Sequence, residues 1–260
     1  MDLGAELCRD LDALLREVDI VDVCSPTGSH PEVVAEAARA GRHVICEKPL
    51  ARSAPEAAEM VAVCASAGVQ LHPAQVVRFF PRYAAARAAV AQGEIGTVRA
   101  LQLTRRGPAP ESDWFRDEAQ SGGVLLDLCV HDVDFARWVA GEVVAVVAET
   151  RLGTGGTARA EMTLEHAEGA RSRVTGEWLP GDQACGSSFV LSGSRGELRE
   201  GRAHEPVEAS EDPFVTQLRE LASAVTGGPA PRVTAADAVA AVEICTAALE
   251  SARTGARVAL

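Results

Sequence analysis

The chain has 260 residues, of which 47% are hydrophobic, and a formal net charge of −12. Such an acidic surface repels nucleic acid and anionic lipid, so neither is an expected partner, and no apolar run reaches the ~18 residues of a membrane span. The seven cysteines lie far apart without a Cys-x-x-Cys pair, which favours free thiols in a reducing cytoplasm over disulfides or a zinc site.

The first 75 residues alternate between helix and strand patterns. Short β-branched runs typical of buried parallel strands follow amphipathic or alanine-rich segments typical of helices. Ser53 begins one helix, with Glu56 placed to complete a capping box. The predicted order is helix 5–16, strand 20–24, helix 31–40, strand 43–46, helix 53–67 and strand 69–72. This order predicts a Rossmann-type parallel sheet as a first domain, residues 1–75.

The remaining residues, 76–260, have a different pattern. Strand-like runs with alternating polar and apolar residues dominate 142–200, which is typical of an antiparallel sheet with one wet face. The other predicted elements are helix 81–91, strand 98–104, a polar loop 107–120, helix 125–138, and closing helices 213–225 and 234–252. We therefore predict an α/β fold in which an α+β domain with a large, mostly antiparallel open sheet follows the parallel sheet.

Lys48 is the single lysine in a chain that otherwise uses 24 arginines. It follows a predicted strand, and the carboxyl ends of parallel strands are where open α/β sheets bind ligands. Unlike arginine, lysine can release its proton when it is desolvated or lies near another cation. Lys48 is therefore a candidate proton-transferring group, although a surface charge is an equal alternative.

Asp127 and His131 are spaced i, i+4 on the predicted helix 125–138 and should share one face. A carboxylate beside an imidazole fixes its tautomer and makes it a better proton acceptor, as a general base requires. An ion pair without a catalytic role is the alternative. A metal is a weaker use for these residues, because helical zinc sites usually supply two histidines at this spacing; we predict no metal.

The segment Gly153-Thr-Gly155-Gly-Thr-Ala158 matches a dinucleotide-binding motif in its residues but not in the secondary structure predicted around it. That pattern requires a following helix, whose N-terminus faces the phosphates. Here the next residues alternate like a strand, so the glycines are predicted to form a hairpin loop.

Three segments together resemble the Gfo/Idh/MocA oxidoreductases, the glucose–fructose oxidoreductase and inositol dehydrogenase family. They are Asp19-Ile-Val-Asp-Val-Cys-Ser-Pro-Thr…His30, Gly41-Arg-His-Val-Ile-Cys-Glu-Lys-Pro-Leu50 and Gly122-Gly…Asp127…His131…Asp134…Trp138. The Glu-Lys-Pro motif after a strand is quite specific in this context. The resemblance implies an NAD(P)-binding Rossmann domain and hydride transfer between a nicotinamide and a secondary alcohol of a sugar or cyclitol.

The resemblance also assigns roles to individual residues. Lys48 would polarise the reacting oxygen, His131 would be the general acid/base, and Asp127 would orient His131. A cis peptide before Pro49 would direct Lys48 into the pocket. The nicotinamide side of NAD or NADP would be lined by Ser25, Pro26, Thr27, His30 and Glu47, together with Lys48. For His30, a helix-capping or solvent-exposed role is about equally compatible with the sequence.

The chain departs from the family at its start. Members begin with a strand, a Gly-rich turn, a helix and a strand that ends in the ribose-recognising residue, and these are absent from the 260 residues. We expect a truncated form or a misassigned start, with impaired cofactor binding. The choice between NAD and NADP cannot be read from the sequence.

The resulting hypothesis is a cytoplasmic NAD(P)-dependent dehydrogenase of a sugar or polyol. The alternatives are an NAD-retaining glycosidase of the same fold and a non-catalytic sugar-binding or scaffold subunit. Substrate contacts are expected from Arg78 and from the loop 107–120, where Glu111, Asp113, Trp114 and Arg116 are candidates. We also expect a homodimer or homotetramer formed through the C-terminal sheet.

Overall fold

The structure is a computed structural model that describes residues 4–181, 186–200 and 211–260. The first part of the chain forms a three-stranded parallel sheet in the order β1-β2-β3. Its elements are α1 (Leu11–Glu17), β1 (Ile20–Val23), α2 (His30–Arg39), β2 (His43–Glu47), α3 (Ala54–Ser66) and β3 (Leu71–Ala74). The predicted alternation of helix and strand is confirmed.

The rest of the described chain forms a seven-stranded mixed sheet and its flanking helices. In this sheet, in the order β10-β5-β6-β7-β4-β8-β9, only β4 and β7 pair in parallel. The elements are α4 (Pro81–Ala91), β4 (Val98–Pro108), α5 (Asp113–Arg116), α6 (Glu118–Ser121), α7 (Val130–Ala140), β5 (Val143–Leu152), β6 (Ala158–His166), β7 (Arg171–Leu179), β8 (Gly186–Gly193), β9 (Glu197–Glu200), α8 (Pro213–Val225), α9 (Ala235–Thr254) and β10 (Val258–Ala259). The predicted α/β fold with a large, mostly antiparallel sheet is confirmed.

One hydrophobic core connects the two sheets. Helix α9 packs against α3 of the first part of the chain and against α7 and β5 of the second part. It begins with a full capping box, in which Thr234 and Asp237 satisfy each other's backbone N–H groups. Because α9 contacts both parts, it fixes α7 relative to the strands of the parallel sheet. No helix in the described part of the chain is long and apolar enough to cross a bilayer.

Some predicted details differ from the structure. Ser53 accepts the Glu56 N–H as expected, but the Glu56 carboxylate receives a hydrogen bond from Arg52 instead of closing the capping box. The predicted helix 125–138 is divided, because residues Val124–Leu128 form a π-helical turn before α7 begins. The glycines at 153–156 lie in the loop between the antiparallel strands β5 and β6, as predicted.

Candidate active site

Lys48 follows β2 directly and reaches across to the second part of the chain. Its ammonium nitrogen Nζ donates hydrogen bonds to the backbone oxygen of Asp127 at 2.9 Å and to Asp127 Oδ1 at 3.0 Å. The lysine side chain is 20% exposed, and the Lys48–Pro49 peptide bond is cis, as the resemblance implied. An ammonium carries three N–H donors, so the two bonds to Asp127 leave one donor for a ligand.

The π-helical turn brings Asp127 to Lys48. Gly122 and Gly123 both have positive φ and turn the chain into this segment, where the Cys129 N–H bonds to the Val124 oxygen five residues earlier. A π turn rotates its side chains relative to an α-helix, so the i, i+4 geometry assumed from the sequence does not hold here. The Asp127 carboxylate pairs with Lys48, and the orientation of His131 by Asp127 stays a prediction.

His131 lies in the first turn of α7 and is partly buried. Its ring nitrogen Nδ1 is buried without a hydrogen-bond partner among the described residues. Burial lowers the pKa of His131 well below its ordinary value, and the positive charges of Lys48 and Arg105 lower it further. Lys48 bonds to Asp127, four residues before His131, so the lysine reaches the segment that leads into the His131 turn. At neutral pH, His131 is a neutral imidazole that can accept a proton.

The predicted cofactor-side residues lie at the carboxyl edge of the parallel sheet. Val23 pairs with Cys46, and Glu47 pairs with Ala74, so the segments that follow the three strands meet at one edge. The Glu47 carboxylate accepts the Lys48 backbone N–H at 3.0 Å. Burial raises the pKa of Glu47 above its ordinary value, while the Lys48 N–H and ammonium oppose that shift.

His30 has a different environment from the one predicted. It is 1% exposed, and its Nε2 lies 2.8 Å from the Ser25 oxygen. On the other side of the ring, Nδ1 lies 3.1 Å from the Pro49 oxygen and 3.2 Å from the Leu50 oxygen. His30 therefore ties the Ser25 loop to the Lys48 turn, and a direct contact between its ring and the cofactor stays a prediction.

These segments fit the nicotinamide end of a dinucleotide. Gln75, which follows β3 at the same edge, has a buried Oε1 without a hydrogen-bond partner among the described residues. An unpaired buried acceptor is costly, so a ligand amide at this edge would satisfy it. Ser25, Pro26, Thr27, Glu47 and Lys48 are the residues that would hold this end of the cofactor.

Arg78, which was predicted to contact the substrate, is buried at 2% exposure. Its Nε and Nη2 bind both carboxylate oxygens of Asp134, at 2.8 and 2.6 Å. Its Nη1 donates to the Arg232 oxygen and to Asp237. The guanidinium thus joins the segment after β3 to α7 and α9, and offers a substrate no accessible surface.

Trp114 stacks on Phe115 in α5, and no described contact joins it to Lys48 or His131. The loop that carries it is held near the site by Arg52, which donates to the Ala119 oxygen at 3.1 Å. A substrate contact by Trp114 remains a prediction.

Sequence reasoning missed Gln75 and Arg105. For Gln75, the one available signal was its position directly after the third strand.

Models of two protein-family domains match the chain. Residues 1–75 match the oxidoreductase family with an NAD-binding Rossmann fold, and residues 83–199 match the GFO/IDH/MocA C-terminal domain. Together these matches cover most of the chain.

Individual relatives show the same similarity. The chain is 32% identical to D-xylose 1-dehydrogenase (NADP(+)) 2 of Haloferax volcanii, over 96% of this chain and 83% of the relative. It is 31% identical to inositol 2-dehydrogenase of Rhizobium meliloti, over 74% and 55% of the two chains. It is 38% identical to the uncharacterized oxidoreductase YrbE of Bacillus subtilis, over half of this chain and 38% of that protein. For these last two relatives, the matched region thus spans less than two thirds of their length.

Among solved structures, GenD2 from gentamicin A biosynthesis, crystallised in complex with NAD, superposes with a TM-score of 0.88. It is 30% identical, and the superposition covers 99% of this chain and 83% of GenD2.

Proposed function

The chain belongs to the GFO/IDH/MocA oxidoreductase family, and from this membership we propose that it is an NAD(P)-dependent oxidoreductase of a secondary alcohol in a sugar or cyclitol. The relatives named for inositol and D-xylose support this substrate class. The main support for this proposal comes from two side chains. Lys48 keeps one N–H donor for a ligand, and His131 is a neutral base.

Each residue of the pair has a distinct task in this reaction. When bound, the nicotinamide would take the hydride, which leaves the hydroxyl proton to the protein. The third Lys48 N–H would hold the reacting oxygen, with Asp127 fixing the direction of the ammonium. His131 would accept the hydroxyl proton, and in the reverse direction it would return that proton. Arginine would not reproduce this arrangement, because its planar guanidinium presents a fixed fork of donors in place of the compact ammonium.

Substitution of either residue tests the assignment. We expect Lys48→Met and His131→Ala in the complete gene product to lower turnover by about 100-fold or more, because general acid–base catalysis contributes at least that factor. Turnover is measured by nicotinamide absorbance with a panel of polyols and sugars. Arg253→Met, a surface change distant in sequence, serves as the control and should keep full turnover.

Two outcomes would redirect the proposal. Near wild-type turnover in either variant would remove that residue from the mechanism. Glycoside cleavage without net change in nicotinamide absorbance would instead identify a glycosidase that retains its cofactor.

We further propose that a polypeptide of these 260 residues binds the cofactor weakly. They contain no Gly-x-Gly-x-x-Gly turn between a strand and a helix, and such a turn places a helix N-terminus against the pyrophosphate. NADH fluorescence titration should therefore give little binding at micromolar protein. A micromolar dissociation constant would contradict this expectation.

The assembly proposed is a dimer or tetramer formed through the large sheet. Support comes from its open face, where β5 exposes Val147 beside a ladder of ion pairs formed by Arg159, Glu161, Arg173 and Glu177. The molecular mass in solution tests this proposal.

A further inference from the structure

Arg52 lies where three segments meet beside the candidate active site, four residues after Lys48. Its Nη1 donates to the backbone oxygen of Ala119 in α6 at 3.1 Å, and its Nη2 donates to the Glu56 carboxylate in α3 at 3.2 Å. On the cofactor side, a Cβ on Gly28 would lie 3.9 Å from Arg52 Cδ and Nε. One side chain therefore lies beside the cofactor-side turn and binds both α3 and the loop that contains α5 and α6.

Lys48 and Arg52 hold the second part of the chain at two points. Lys48 binds the backbone oxygen and the carboxylate of Asp127, and Arg52 binds the backbone oxygen of Ala119. Between these two points the chain passes from α6 through Gly122 and Gly123 into the π-helical turn. The short segment 48–52 thus sets the position of α6 and of the Lys48 ammonium together.

The loop that Arg52 binds needs such an anchor. It contains two helices of four residues each, Asp113–Arg116 and Glu118–Ser121, and no residue of the first is buried. Isolated helices of this length are unstable in water, because ordering the first turn costs more than its hydrogen bonds return. The Thr27–Ser29 turn packs against Glu118–Ser121, and the hydrogen bond from Arg52 fixes α6 at this junction.

Glu56 holds the Arg52 guanidinium instead of completing its own helix cap. The spacing from Ser53 would allow Glu56 to accept the Ser53 N–H and close the capping box. Its Oε1 instead accepts from Arg52, and its Oε2 is buried without a hydrogen-bond partner among the described residues. A buried acceptor without a partner is unfavourable. The start of α3 is thus less stable than its sequence allows, and the arrangement gives Arg52 a fixed direction.

We propose that Arg52 is a positioning residue for substrate binding. It anchors the loop 113–121 to the cofactor-side turn 25–29, so that this loop is in place beside the nicotinamide end of the cofactor before the substrate arrives. A loop that is already ordered does not pay its ordering cost when the substrate binds. The anchoring follows from the contacts of Arg52, whereas its effect on the substrate rests on the proposed function.

Hydrogen exchange tests the anchoring without any activity. Four backbone N–H groups are bonded within the two short helices and at their ends, those of Asp117, Gln120, Ser121 and Gly122. In the complete gene product without ligands, we expect Arg52→Met to speed their exchange by about fivefold or more, because one hydrogen bond contributes about that factor. The exchange of α7 should be unchanged.

Arg253→Met is the matched control. Arg253 also pairs with a glutamate one turn away on a helix, Glu250, and 72% of its side chain is exposed. This variant should leave the exchange of the loop unchanged. Unchanged loop exchange in Arg52→Met, or an equal increase in Arg253→Met, would overturn the proposal.

Turnover kinetics test the effect on the substrate, using the sugar or polyol that the unmodified protein turns over fastest. Arg52→Met should raise KM by about fivefold or more and keep kcat within about twofold, because Lys48 and His131 are unchanged. Arg52→Lys keeps the charge and a donor, so it should recover part of the lost affinity.

A lower kcat at unchanged KM in Arg52→Met would contradict the positioning role. The two proposals fail separately, because hydrogen exchange reports the anchoring even in a protein without turnover. Normal turnover in His131→Ala would count against the proposed function and would leave the exchange result as it stands.

Discussion

At the scale of single residues, burial distinguishes two basic side chains that occupy similar positions in the sequence. Lys48 and Arg78 each follow a strand of the parallel sheet, and both were predicted to contact a ligand. Among the described residues, Lys48 keeps one donor unpaired. Arg78 instead uses its donors to bind Asp134, Asp237 and a backbone oxygen. A rigid, permanently charged guanidinium suits the buried contacts of Arg78, whereas an ammonium suits proton transfer.

Removal of the Arg78 charge should therefore destabilise the fold. Arg78→Met leaves Asp134, which is 1% exposed, as a buried carboxylate without its main partner. Breaking a buried pair in this way typically costs about 3–5 kcal/mol, which urea unfolding would measure as a lower midpoint.

Arg253→Met is the comparison for this loss. Arg253 pairs with Glu250 on the surface, with 72% of its side chain exposed, and exposed pairs contribute about 1 kcal/mol or less. Similar losses in the two variants would show that the Arg78 junction does not stabilise the fold as described.

At the scale of elements, the π-helical turn decides which residues meet. A continuous α-helix over 125–138 would have placed Asp127 beside His131. The five residues Val124–Leu128 instead present the Asp127 carboxylate and carbonyl to Lys48. Gly176 of β7 permits this segment to lie close against the sheet, because a Cβ at that position would overlap Cys129 Sγ and press on Val124.

Gly122 should be essential to this turn. It has φ +75° and ψ 10°, and a Cβ on it would lie 2.5 Å from the Leu126 Cβ. Gly122→Ala combines a left-handed backbone, which costs about 1–2 kcal/mol, with overpacking that costs about 1–3 kcal/mol more. The unfolding free energy in urea measures the sum.

Gly255 supplies a matched control, because it has almost the same backbone conformation, φ 71° and ψ 8°, with no atom within 4 Å of its Cβ position. Gly255→Ala should therefore lose only the backbone part. If the two variants lost equal stability, the contact with Leu126 would not constrain the turn.

At the scale of the whole molecule, the mixed sheet has one face covered by helices and one open face. Helix α9 packs on β5 from the covered side. On the open side, Val147 is 44% exposed and borders a depression of about 390 Å³ that is also lined by Glu149, Glu161 and Arg173. This face is the surface proposed to assemble.

Light scattering after gel filtration should give a dimer or tetramer mass. Val147→Glu should shift it towards the monomer, because it adds a carboxylate beside Glu149 and Glu161 on that face, and 1 M salt should weaken the assembly through screening of the charged ladder. Leu218→Glu, at an exposed position of α8, should leave the mass unchanged. A monomer at all concentrations of the unmodified chain would refute the proposed assembly.

Much of the fold could be predicted from local patterns. The strands of the parallel sheet, the hairpin glycines and the closing helices follow from periodicity and turn chemistry, which act over a few residues. Side-chain partners were harder to predict. The capping box at Glu56 is half-formed because Arg52, four residues earlier, binds the Glu56 carboxylate. The burial of Arg78 and the contacts of His30 result from partners brought together by tertiary packing.

The sequence alone determined the α/β class, the family, and the identities of Lys48 and His131 as the chemically distinctive pair, because residue types and short spacings are written in the chain. Only the tertiary structure decided that Asp127 belongs to Lys48 and that Arg105 holds Asp132. Those pairs join residues 79 and 27 positions apart, and which carboxylate meets which cation depends on the helical pitch and on packing between the sheets.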